Sequence, residues 1–536
     1  MDYLHRFVET ANKYLDCPAL QDYRSKPVTY RELVSDIARL IVLWRASGIN
    51  PGDKIALNAR SSAAWAKLFL ATQFGGYVSV QIFKGFTPDD TQGLVNHSCP
   101  RVLYTEKSIF DKMDFELMPS LEAAFDANTG ELLAFRNDFD QNYNRWDEIF
   151  DTVFALGIDV EDLLCRDYSP ETLAAIMYTS GSTGNPKGVM LTIGNLSANV
   201  DAIPAHFPFR AGEKYVSVLP YSHIFGMMYD MLMPLVTGMH LVVLGIPPAP
   251  VNLISALKQY RPNIFFAVPL ILEKLIYSTI GSYIKGDSHP KWEDLRAIFL
   301  QALGGNIELL VSGGAAIDEN LEKLLIDKLK VPFVTGYGMT EAAPTIALGE
   351  YGDYKRHECG KVVEELVNLK IDSEDGTSIP GEILIKGPAV FKGYYKNPEA
   401  TKAAFTEDGW FRTGDMATLE ERRVFIVGRC KNMILCSNGH NIFPEEIEVI
   451  LNHLPYVAES IIIEKEGRLI AIIVPDSDAA ANDCISSKSL VGIMDKNLRH
   501  LNSRIPKYSS VASYRLQYEP FAKTPKGTIK RFMYTE

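Results

Sequence analysis

Hydrophobic positions along the chain follow two alternating patterns, one typical of strands and one of helices. Over residues 28–104, short apolar runs are separated by segments whose apolar residues recur at helical spacing. Thr29, followed three residues later by Glu32, matches the start of a helix that continues through Trp44. The other elements predicted here are strands at Lys54–Leu57 and Val78–Val80 and a helix at Ala63–Gln73. This alternation predicts a mostly parallel sheet with helices on both faces.

The same alternation returns between residues 215 and 311. The elements predicted there are Tyr215–Leu219, Met231–Val236, Leu241–Leu244, Leu253–Tyr260, Ile264–Ala267 and Leu309–Val311. The most apolar stretch, Met231–Pro247, is interrupted by Pro234 and Gly238, so it predicts a buried helix and a core strand rather than a membrane span. Peripheral contact with lipid is left open.

The last third of the chain has a different pattern. Residues 381–430 contain short β runs broken by Gly and Pro, which indicates a small β subdomain at about 350–430. The elements predicted after Asn432 are a helix at Pro444–Leu454 and strands at Ser460–Glu464 and Arg468–Pro475. We therefore predict an α/β fold with a large N-terminal domain over 1–430, built of layered, mostly parallel sheets with helices, and a small α+β C-terminal domain over 431–536.

Composition agrees with a globular enzyme of more than one domain. A chain of 536 residues is too long for one hydrophobic core, and 47% hydrophobic and 22% charged residues are ordinary values. The formal net charge of −12 argues against broad nucleic-acid binding, so local groups must hold any anionic ligand. The seven cysteines are scattered without a C-x-x-C pair, and the first residues contain no apolar signal core. We expect a cytoplasmic protein without a disulfide framework.

The densest group of polar residues, at 177–189, suits a chain of phosphates. Glycines let backbone N–H groups turn toward one point, hydroxyls add donors and a lysine adds a compact positive charge. The candidates in this run are Thr179, Ser180, Gly181, Ser182, Thr183, Gly184 and Lys187. An ordinary P-loop has Gly-Lys-Ser/Thr in succession and a helix directly after it, whereas Val189–Leu191 here predicts extended chain. The alternative is a polar turn between two strands.

Two further segments place small residues after predicted strands. Gly314 and Ala315 would let a flat ring approach the backbone. In the second segment a tyrosine, Tyr337, lies between Gly336 and Gly338 and could stack on a base. Glycine turns after strands are common, so each segment alone is a weak signal.

Charged and hydroxyl side chains follow these segments. Thr340 suits a phosphate, and the Glu341 carboxylate suits Mg²⁺. Asp415, after a β run, suits the paired hydroxyls of a ribose, and Arg429 and Lys431 bring two cations to the predicted domain boundary. Each of these residues could equally belong to a structural turn or be a solvated charge.

One histidine, His223, lies among aromatic residues after a predicted strand. On this pattern alone a lone histidine is more often a packed core residue than a functional one.

Taken together, these segments resemble the AMP-forming adenylate superfamily, which comprises acyl-CoA synthetases, the adenylation domains of nonribosomal synthetases and firefly luciferase. The resemblance extends from Val28 to Arg531, with the segments in the family's order and at its spacing. Its most specific motifs are Tyr178–Gly188, Gly336–Glu341, Arg412–Asp415 and Gly428–Lys431. The segment 428–446 is most similar to long-chain fatty acid ligases of bacterial type.

The resemblance implies a role for each candidate. Thr179 to Lys187 would cover the β- and γ-phosphates of ATP, Gly314 and Ala315 would line the adenine pocket, and Tyr337 would stack on the ring. Thr340 would contact the α-phosphate and Glu341 would hold Mg²⁺. The remaining implied roles are ribose binding for Asp415 with Arg429, a place at the acyl pocket for His223, a hinge for Lys431 and room for the pantetheine arm of coenzyme A at Gly439.

The implied reaction has two halves. A carboxylic acid attacks the α-phosphorus of ATP, expels pyrophosphate and forms an acyl adenylate, whose AMP a thiol then displaces. Rotation of a mobile C-terminal domain separates the halves in this family. We expect a fatty acid, ATP and coenzyme A as substrates, with Mg²⁺ and without nucleic acid. An acyl carrier protein as acceptor, and a non-catalytic nucleotide- or acyl-binding protein, remain alternatives.

One departure from the family pattern bears on the first half-reaction. The family's C-terminal lysine follows a glycine, and in this chain Thr528 stands at that position. In an extended segment, residues two apart face the same side, so Lys530 and Lys526 would share the face of Thr528. We predict that Lys530 replaces the missing cation, with Lys526 second; the alternative is that both are solvated and adenylation is slow.

Overall fold

The computed structural model of the chain describes residues 1–137, 139, 143, 145–155, 157–164, 168–179, 186–285, 290–435, 441–465, 467–524 and 529–534. The strands of this part, numbered β1 to β26 in chain order, are Pro18–Asp22, Val28–Thr29, Lys54–Asn58, Val78–Gln81, Val102–Thr105, Ala123–Asp126, Leu132–Phe135, Leu173–Thr179, Lys187–Thr192, Lys214–Ser217, His240–Val243, Ile264–Ala267, Leu309–Ser312, Phe333–Gly338, Thr345–Leu348, Lys361–Val362, Asn368–Asp372, Gly381–Lys386, Gly393–Tyr394, Phe411–Glu420, Arg423–Arg429, Ile434–Leu435, Asn441–Ile442, Val457–Lys465, Arg468–Pro475 and Val511–Leu516.

Helices alternate with these strands over much of the chain. The α-helices are Tyr3–Lys13, Tyr30–Ala46, Ala63–Phe74, Pro88–Ser98, Lys107–Phe110, Trp146–Val153, Ile193–Ala202, Met233–Val236, Pro250–Tyr260, Pro269–Lys285, Trp292–Ala302, Glu319–Lys323, Pro398–Ala403, Pro444–Asn452, Ser477–Asn482 and Ser487–Arg504. The predicted capping box is present: the Thr29 hydroxyl accepts from the N–H of Glu32 at 3.2 Å, and the Glu32 carboxylate accepts from the N–H of Thr29 at 2.8 Å. The helix start predicted from the sequence is therefore confirmed.

The chain divides into two compact units, and the first contains residues 1–179, 186–368 and 386–403. Its largest sheet has the order β19-β9-β8-β4-β3-β5-β6-β7, parallel from β8 to β6 and antiparallel at both edges. A second sheet has the order β10-β11-β1-β2, and β12, β13 and β14 run parallel before the antiparallel β15 and β16. Helices pack on these sheets, and the predicted fold of layered, mostly parallel sheets is confirmed.

The second unit contains residues 369–385 and 404–536 and carries the remaining strands. Among them, β21 pairs with β20, β20 with β18 and β22 with β23, all antiparallel. The sheet of β24, β25 and β26 packs its apolar face on the helices Pro444–Asn452 and Ser487–Arg504 through Ile462, Leu451 and Leu501. An α+β unit toward the C-terminus was expected, but the boundary predicted at residues 428–432 stays a prediction.

Two predicted elements need correction. The strand predicted at Tyr215–Leu219 ends at Ser217, because the N–H groups of Val218 and Leu219 donate to the side chain of Asp230 instead of continuing the ladder. The helix predicted at Met231–Val236 is the end of a longer helical segment that begins as π-helix at Gly226–Leu232. Its residues are buried, as the sequence predicted, and the described helices include none that is both long and apolar enough to span a bilayer.

Candidate active site

The described ends of the predicted phosphate-binding run lie in two paired strands of the first unit. β8 and β9 are antiparallel, with Thr179 opposite Lys187 and Tyr178 opposite Gly188. The chain therefore continues as a strand after Lys187, as predicted, and not as the helix that follows an ordinary P-loop. The candidates Ser180, Gly181, Ser182, Thr183 and Gly184 lie outside the described residues.

Lys187 and Glu341 meet at one side chain, that of Tyr394. The hydroxyl of Tyr394 donates to Glu341 Oε1 at 3.0 Å, and the ammonium of Lys187 lies 4.7 Å from the centre of the Tyr394 ring. Glu341 is 9% exposed and belongs to a 3₁₀ turn over Thr340–Ala342, whose Thr340 is half-buried. Burial and the Glu341 carboxylate raise the pKa of Tyr394, so its hydroxyl stays a donor at neutral pH. A cation, a carboxylate and a hydroxyl thus lie together at the end of the paired strands where Thr179 faces Lys187.

The adenine candidates lie at one edge of the parallel strands β12, β13 and β14. Ser312 pairs with Thr335, so the turns that follow β13 and that end β14 are neighbours. Gly314 has a φ of +79°, a conformation that favours glycine, and it is exposed together with Ala315. Ligands of open α/β sheets bind at the carboxyl ends of parallel strands, and these turns lie there.

Tyr337 belongs to the same edge. It is half-buried and pairs with Ala347, while its neighbours Gly336 and Gly338 pair with Leu348 and Thr345 in the antiparallel ladder of β14 and β15. The predicted placement of a tyrosine between two glycines is therefore a strand end, and Gly336 O lies 3.4 Å from the position that a Cβ of Gly313 would take.

His223 lies in a turn after β10, where its own N–H donates to Pro220 O at 3.0 Å. Its ring packs on Phe83, with centroids 4.8 Å apart, and is half-buried. The ring is thus neither deep in the core nor fully solvated. This position is compatible with a packed core residue and with a residue at the acyl pocket.

Asp230, which belongs to none of the sequence motifs, supports the chain before His223. This carboxylate is completely buried and accepts from Tyr215 Oη at 2.6 Å and from the N–H groups of Val218 and Leu219 at 2.7 Å each. Burial raises the pKa of Asp230 from 3.8 to about 6, although these donors favour the charged form. A single charged residue inside an apolar stretch was the signal for such a buried acceptor.

This raised pKa predicts a pH-dependent difference between the parental protein and Asp230→Asn. An acid whose pKa is higher in the folded than in the unfolded protein favours folding at low pH, and this contribution is lost as pH rises from about 4 through about 6. Two pKa units correspond to about 3 kcal/mol. The melting temperature of the parental protein minus that of Asp230→Asn should therefore fall between pH 4 and pH 7 and then level off.

The control for this measurement is Asp111→Asn, which removes an exposed carboxyl of the same unit. Its melting temperature should follow that of the parental protein in parallel across the pH range. Equal pH profiles for the parental protein and Asp230→Asn would contradict the assignment.

In the second unit, Asp415 and Arg429 form an ion pair. They face each other across β20 and β21, and Arg429 Nε lies 2.6 Å from Asp415 Oδ1. The Asp415 side chain is 5% exposed and that of Arg429 is 51% exposed, so the carboxylate is sheltered and the guanidinium reaches solvent. Lys431 follows in the short 3₁₀ turn Cys430–Asn432, where desolvation and the charge of Arg429 lower its pKa.

The lysine candidates near the C-terminus are only partly described. Thr528 and Lys526 lie outside the described residues, as does Gly439. Among the described residues, Lys523 and Ile529 pair antiparallel, and the N–H of Lys530 donates to Ala522 O at 2.8 Å. Lys523 and Lys530 therefore do not belong to one extended strand. Lys530 itself is half-buried and precedes a short 3₁₀ turn.

Comparison with known proteins places the chain in a family. A profile described as AMP-binding enzyme matches residues 7–395, and a second, described as AMP-binding enzyme C-terminal domain, matches residues 431–536. The chain belongs to the AMP-binding enzyme family. The superfamily inferred from the sequence motifs is therefore confirmed.

The relatives identify the class within this family. Feruloyl-CoA synthase of an Amycolatopsis species is 30% identical over 94% of this chain and 94% of its own length. The long-chain-fatty-acid–CoA ligase FadD15 of Mycobacterium bovis is 26% identical over 95% of this chain and 90% of its own length. The solved anthranilate CoA ligase AuaEII, in complex with anthranoyl-AMP, has a TM-score of 0.79 at 19% identity over 99% of this chain and 96% of its own, which shows the shared fold. The class is that of AMP-forming acyl-CoA ligases. The names of these three proteins refer to one aliphatic acid, a long-chain fatty acid, and to two aromatic acids, ferulic and anthranilic acid.

Proposed function

We propose that this chain joins a fatty acid to coenzyme A in two steps. In the first, a carboxylate oxygen of the acid bonds to the α-phosphorus of ATP, and the bond to pyrophosphate breaks. In the second, the sulfur of coenzyme A bonds to the acyl carbon, AMP leaves and the thiol gives up its proton. Both charged reactants of the first step repel each other, so positioning and local positive charge carry most of its catalysis.

The observation that carries this proposal is the meeting of Lys187, Glu341 and Tyr394 at the end of β8 and β9 where Thr179 faces Lys187. A lysine that follows a run of glycine and hydroxyl residues in the sequence suits the β- and γ-phosphates, for which the family resemblance also uses Thr179 and the residues that follow it. Thr340, next to Glu341, is the candidate contact for the α-phosphate.

Glu341 also fits Mg²⁺. A single protein carboxylate, with remaining ligands from substrate phosphates and water, is the usual arrangement for this ion. Within the described residues, no cluster of three or more His, Cys, Asp or Glu side chains competes as a metal centre. A bound Mg²⁺ would neutralise phosphate charge, and Glu341, which accepts a hydrogen bond from Tyr394, would hold it.

For the nucleoside we assign Tyr337 to stacking on adenine, with Gly336, Gly338, Gly314 and Ala315 as its surroundings. Support comes from the exposed turn at the carboxyl end of β13 and the half-buried tyrosine at the end of β14. In the second unit, the sheltered carboxylate of Asp415, with Arg429, is assigned to the ribose hydroxyls.

An apolar wall near His223 supports an aliphatic acid. Phe225 is half-buried and lies close to the turn of Gly313 and Gly314, and Met227 and Met228, which follow it in the chain, are completely buried. Methionine side chains adapt to flexible chains. We place the carboxylate of the acid at His223 and its chain along this wall.

A panel of acids with pyrophosphate release as the readout tests this function. The panel contains saturated fatty acids of several lengths, hydroxycinnamic acids, benzoate and malonate, each with ATP and Mg²⁺. We expect the highest kcat/KM for a fatty acid. The highest value for a hydroxycinnamic acid or benzoate would overturn the fatty acid assignment, and no release with any acid would favour a binding protein.

The acceptor is tested separately, with preformed acyl adenylate and either coenzyme A or acyl carrier protein. We expect acyl transfer to coenzyme A, assisted by a pivot at Lys431 and by Gly439. Transfer to the carrier protein alone would replace this step. A cytoplasmic location belongs to the same proposal, since coenzyme A and ATP are available there and the scattered cysteines suit a reducing compartment.

Lys530 is expected to supply the cation that Thr528 lacks. Charge accumulates at the α-phosphate as pyrophosphate departs, and a cation there stabilises the transition state. Lys530→Ala should therefore slow adenylation while leaving acyl transfer from preformed acyl adenylate nearly unchanged, and Thr528→Lys should keep or raise the adenylation rate. Single-turnover measurements of both half-reactions check this.

The control is Lys507→Ala, which removes an exposed lysine of the same unit. It should leave both half-reactions at the parental rate. If Lys530→Ala and Lys526→Ala both adenylate at that rate, the replacement by a nearby lysine is wrong.

A further inference from the structure

Tyr394 is held in place by the short strand β19, which the sequence analysis did not predict. β19 pairs antiparallel with β9, with Gly393 opposite Met190 and Tyr394 opposite Val189. Gly393 has a φ of +138°, and a Cβ there would lie 2.8 Å from Thr401 Cγ2, so only glycine fits. The N–H of Tyr394 donates to Thr401 Oγ1 at 2.9 Å. The backbone around Tyr394 is thus fixed relative to the strand that begins at Lys187.

The side chain of Tyr394 contacts two groups of opposite charge at different atoms. Its hydroxyl donates to Glu341 Oε1, while the face of its ring receives the Lys187 ammonium. Phe391 holds the other side, since its N–H donates to Glu341 O at 2.9 Å and its ring lies 4.9 Å from that of Tyr394. Tyr394 is 8% exposed, so both interactions are formed largely out of water.

A lysine and a glutamate this close to one ring would attract each other strongly outside bulk water. A direct ion pair would neutralise both groups and occupy the atoms that a phosphate and a metal ion need. Instead, Lys187 makes no ion pair with any residue in the described ranges, and its ammonium lies over the ring. The tyrosine offers a separate partner to each charge.

We propose that Tyr394 is a positioning residue that keeps Lys187 and Glu341 apart and oriented, so that both remain available to the nucleotide and its metal ion. The proposal rests on the proposed function, because it takes ATP with Mg²⁺ as the ligand of this site. It adds a residue that acts only through Lys187 and Glu341 and does not touch the reacting atoms.

Two variants separate the two contacts of Tyr394. Tyr394→Phe removes only the hydroxyl and keeps the ring under Lys187, whereas Tyr394→Leu removes both partners. Loss of a hydrogen bond that orients a metal-binding carboxylate should raise the Mg²⁺ concentration for half-maximal adenylation about tenfold in Tyr394→Phe. In the leucine variant, ATP binding measured by calorimetry without Mg²⁺ should also weaken about threefold, since the cation loses its aromatic face.

The matched control is Tyr395→Phe, which removes the neighbouring hydroxyl and should leave both the Mg²⁺ titration and ATP binding unchanged. Glu341→Ala is measured in parallel. If it shifts the Mg²⁺ requirement and Tyr394→Phe does not, the positioning role is wrong and the metal assignment stands. If neither shifts it, the metal assignment itself is wrong. Should the leucine variant fail to fold, the phenylalanine variant, which lacks one oxygen only, decides the question.

Discussion

Glu341→Ala is expected to slow acyl adenylate formation at least tenfold, which corresponds to about 1.4 kcal/mol or more of transition-state stabilisation. The side chain is 9% exposed and accepts from the Tyr394 hydroxyl, so its carboxylate is fixed at the site and is not a mobile surface group. Its removal takes away the protein oxygen assigned to Mg²⁺. The measurement is single-turnover release of pyrophosphate at ordinary and at raised Mg²⁺ concentrations.

Glu341→Gln separates the charge from the hydrogen bond. The amide oxygen can still accept from Tyr394, but it is a weaker ligand for a divalent cation than a carboxylate. We therefore expect Glu341→Gln to lose nearly as much activity as the alanine variant. Full activity of either variant at ordinary Mg²⁺ would rule out Glu341 as the metal ligand, whereas an active glutamine variant beside an inactive alanine variant would point to a structural role.

Arg531→Met is expected to give the largest loss of stability, in the second unit. Arg531 Nη1 donates to Glu448 Oε1 at 2.7 Å, and Arg531 Nη2 pairs with Glu448 Oε2, at a place where the side chains are 20% and 8% exposed. Glu448 Oε1 also accepts from the N–H of Ile462 at 2.6 Å, which ties the pair to β24. Removing one partner leaves a buried charge and costs roughly 3–5 kcal/mol.

Amide hydrogen exchange of β24 and β25 reports this loss locally, which suits a chain of more than one unit. Exchange at Ile462 should accelerate strongly in Arg531→Met, while Arg499→Ala, at an exposed arginine of the same unit, should match the parental protein. The double variant Arg531→Met with Glu448→Leu should recover most of the protection at the other amides of β24 and β25, since a buried ion pair replaced by apolar groups is often close to neutral. The N–H of Ile462 is the exception, because Glu448→Leu removes its acceptor. Equal exchange in Arg531→Met and Arg499→Ala would contradict a stabilising pair.

Local signals predicted much of the fold and part of the site. The capping box at Thr29 and the strand after Lys187 depend on residues only a few positions apart, and both are confirmed. The layered sheets follow from the order of strands and helices. Such features can be predicted from the sequence because residues close together in the chain determine them.

Contacts between distant segments could not be predicted from the sequence. Tyr394 reaches Glu341 across 53 positions, and only the pairing of β19 with β9 brings it to Lys187. Arg531 meets Glu448 across 83 positions. Gly393, between Lys392 and Tyr394, was a weak signal, because a glycine in an extended segment marks a bend or a close approach without indicating the partner.

The pairing of β19 with β9 also has a consequence for folding during synthesis. Val189 can pair with Tyr394 only after about 200 further residues have been synthesised, and until then the edge of the largest sheet is incomplete. At roughly 5–20 residues per second, a ribosome needs on the order of tens of seconds to synthesise that interval. During this time β9 exposes an open strand edge to other nascent chains. Synthesis of the first unit is thus accompanied by an aggregation risk that ends only when residues 393–394 emerge, and slow codons placed before that point would lengthen it.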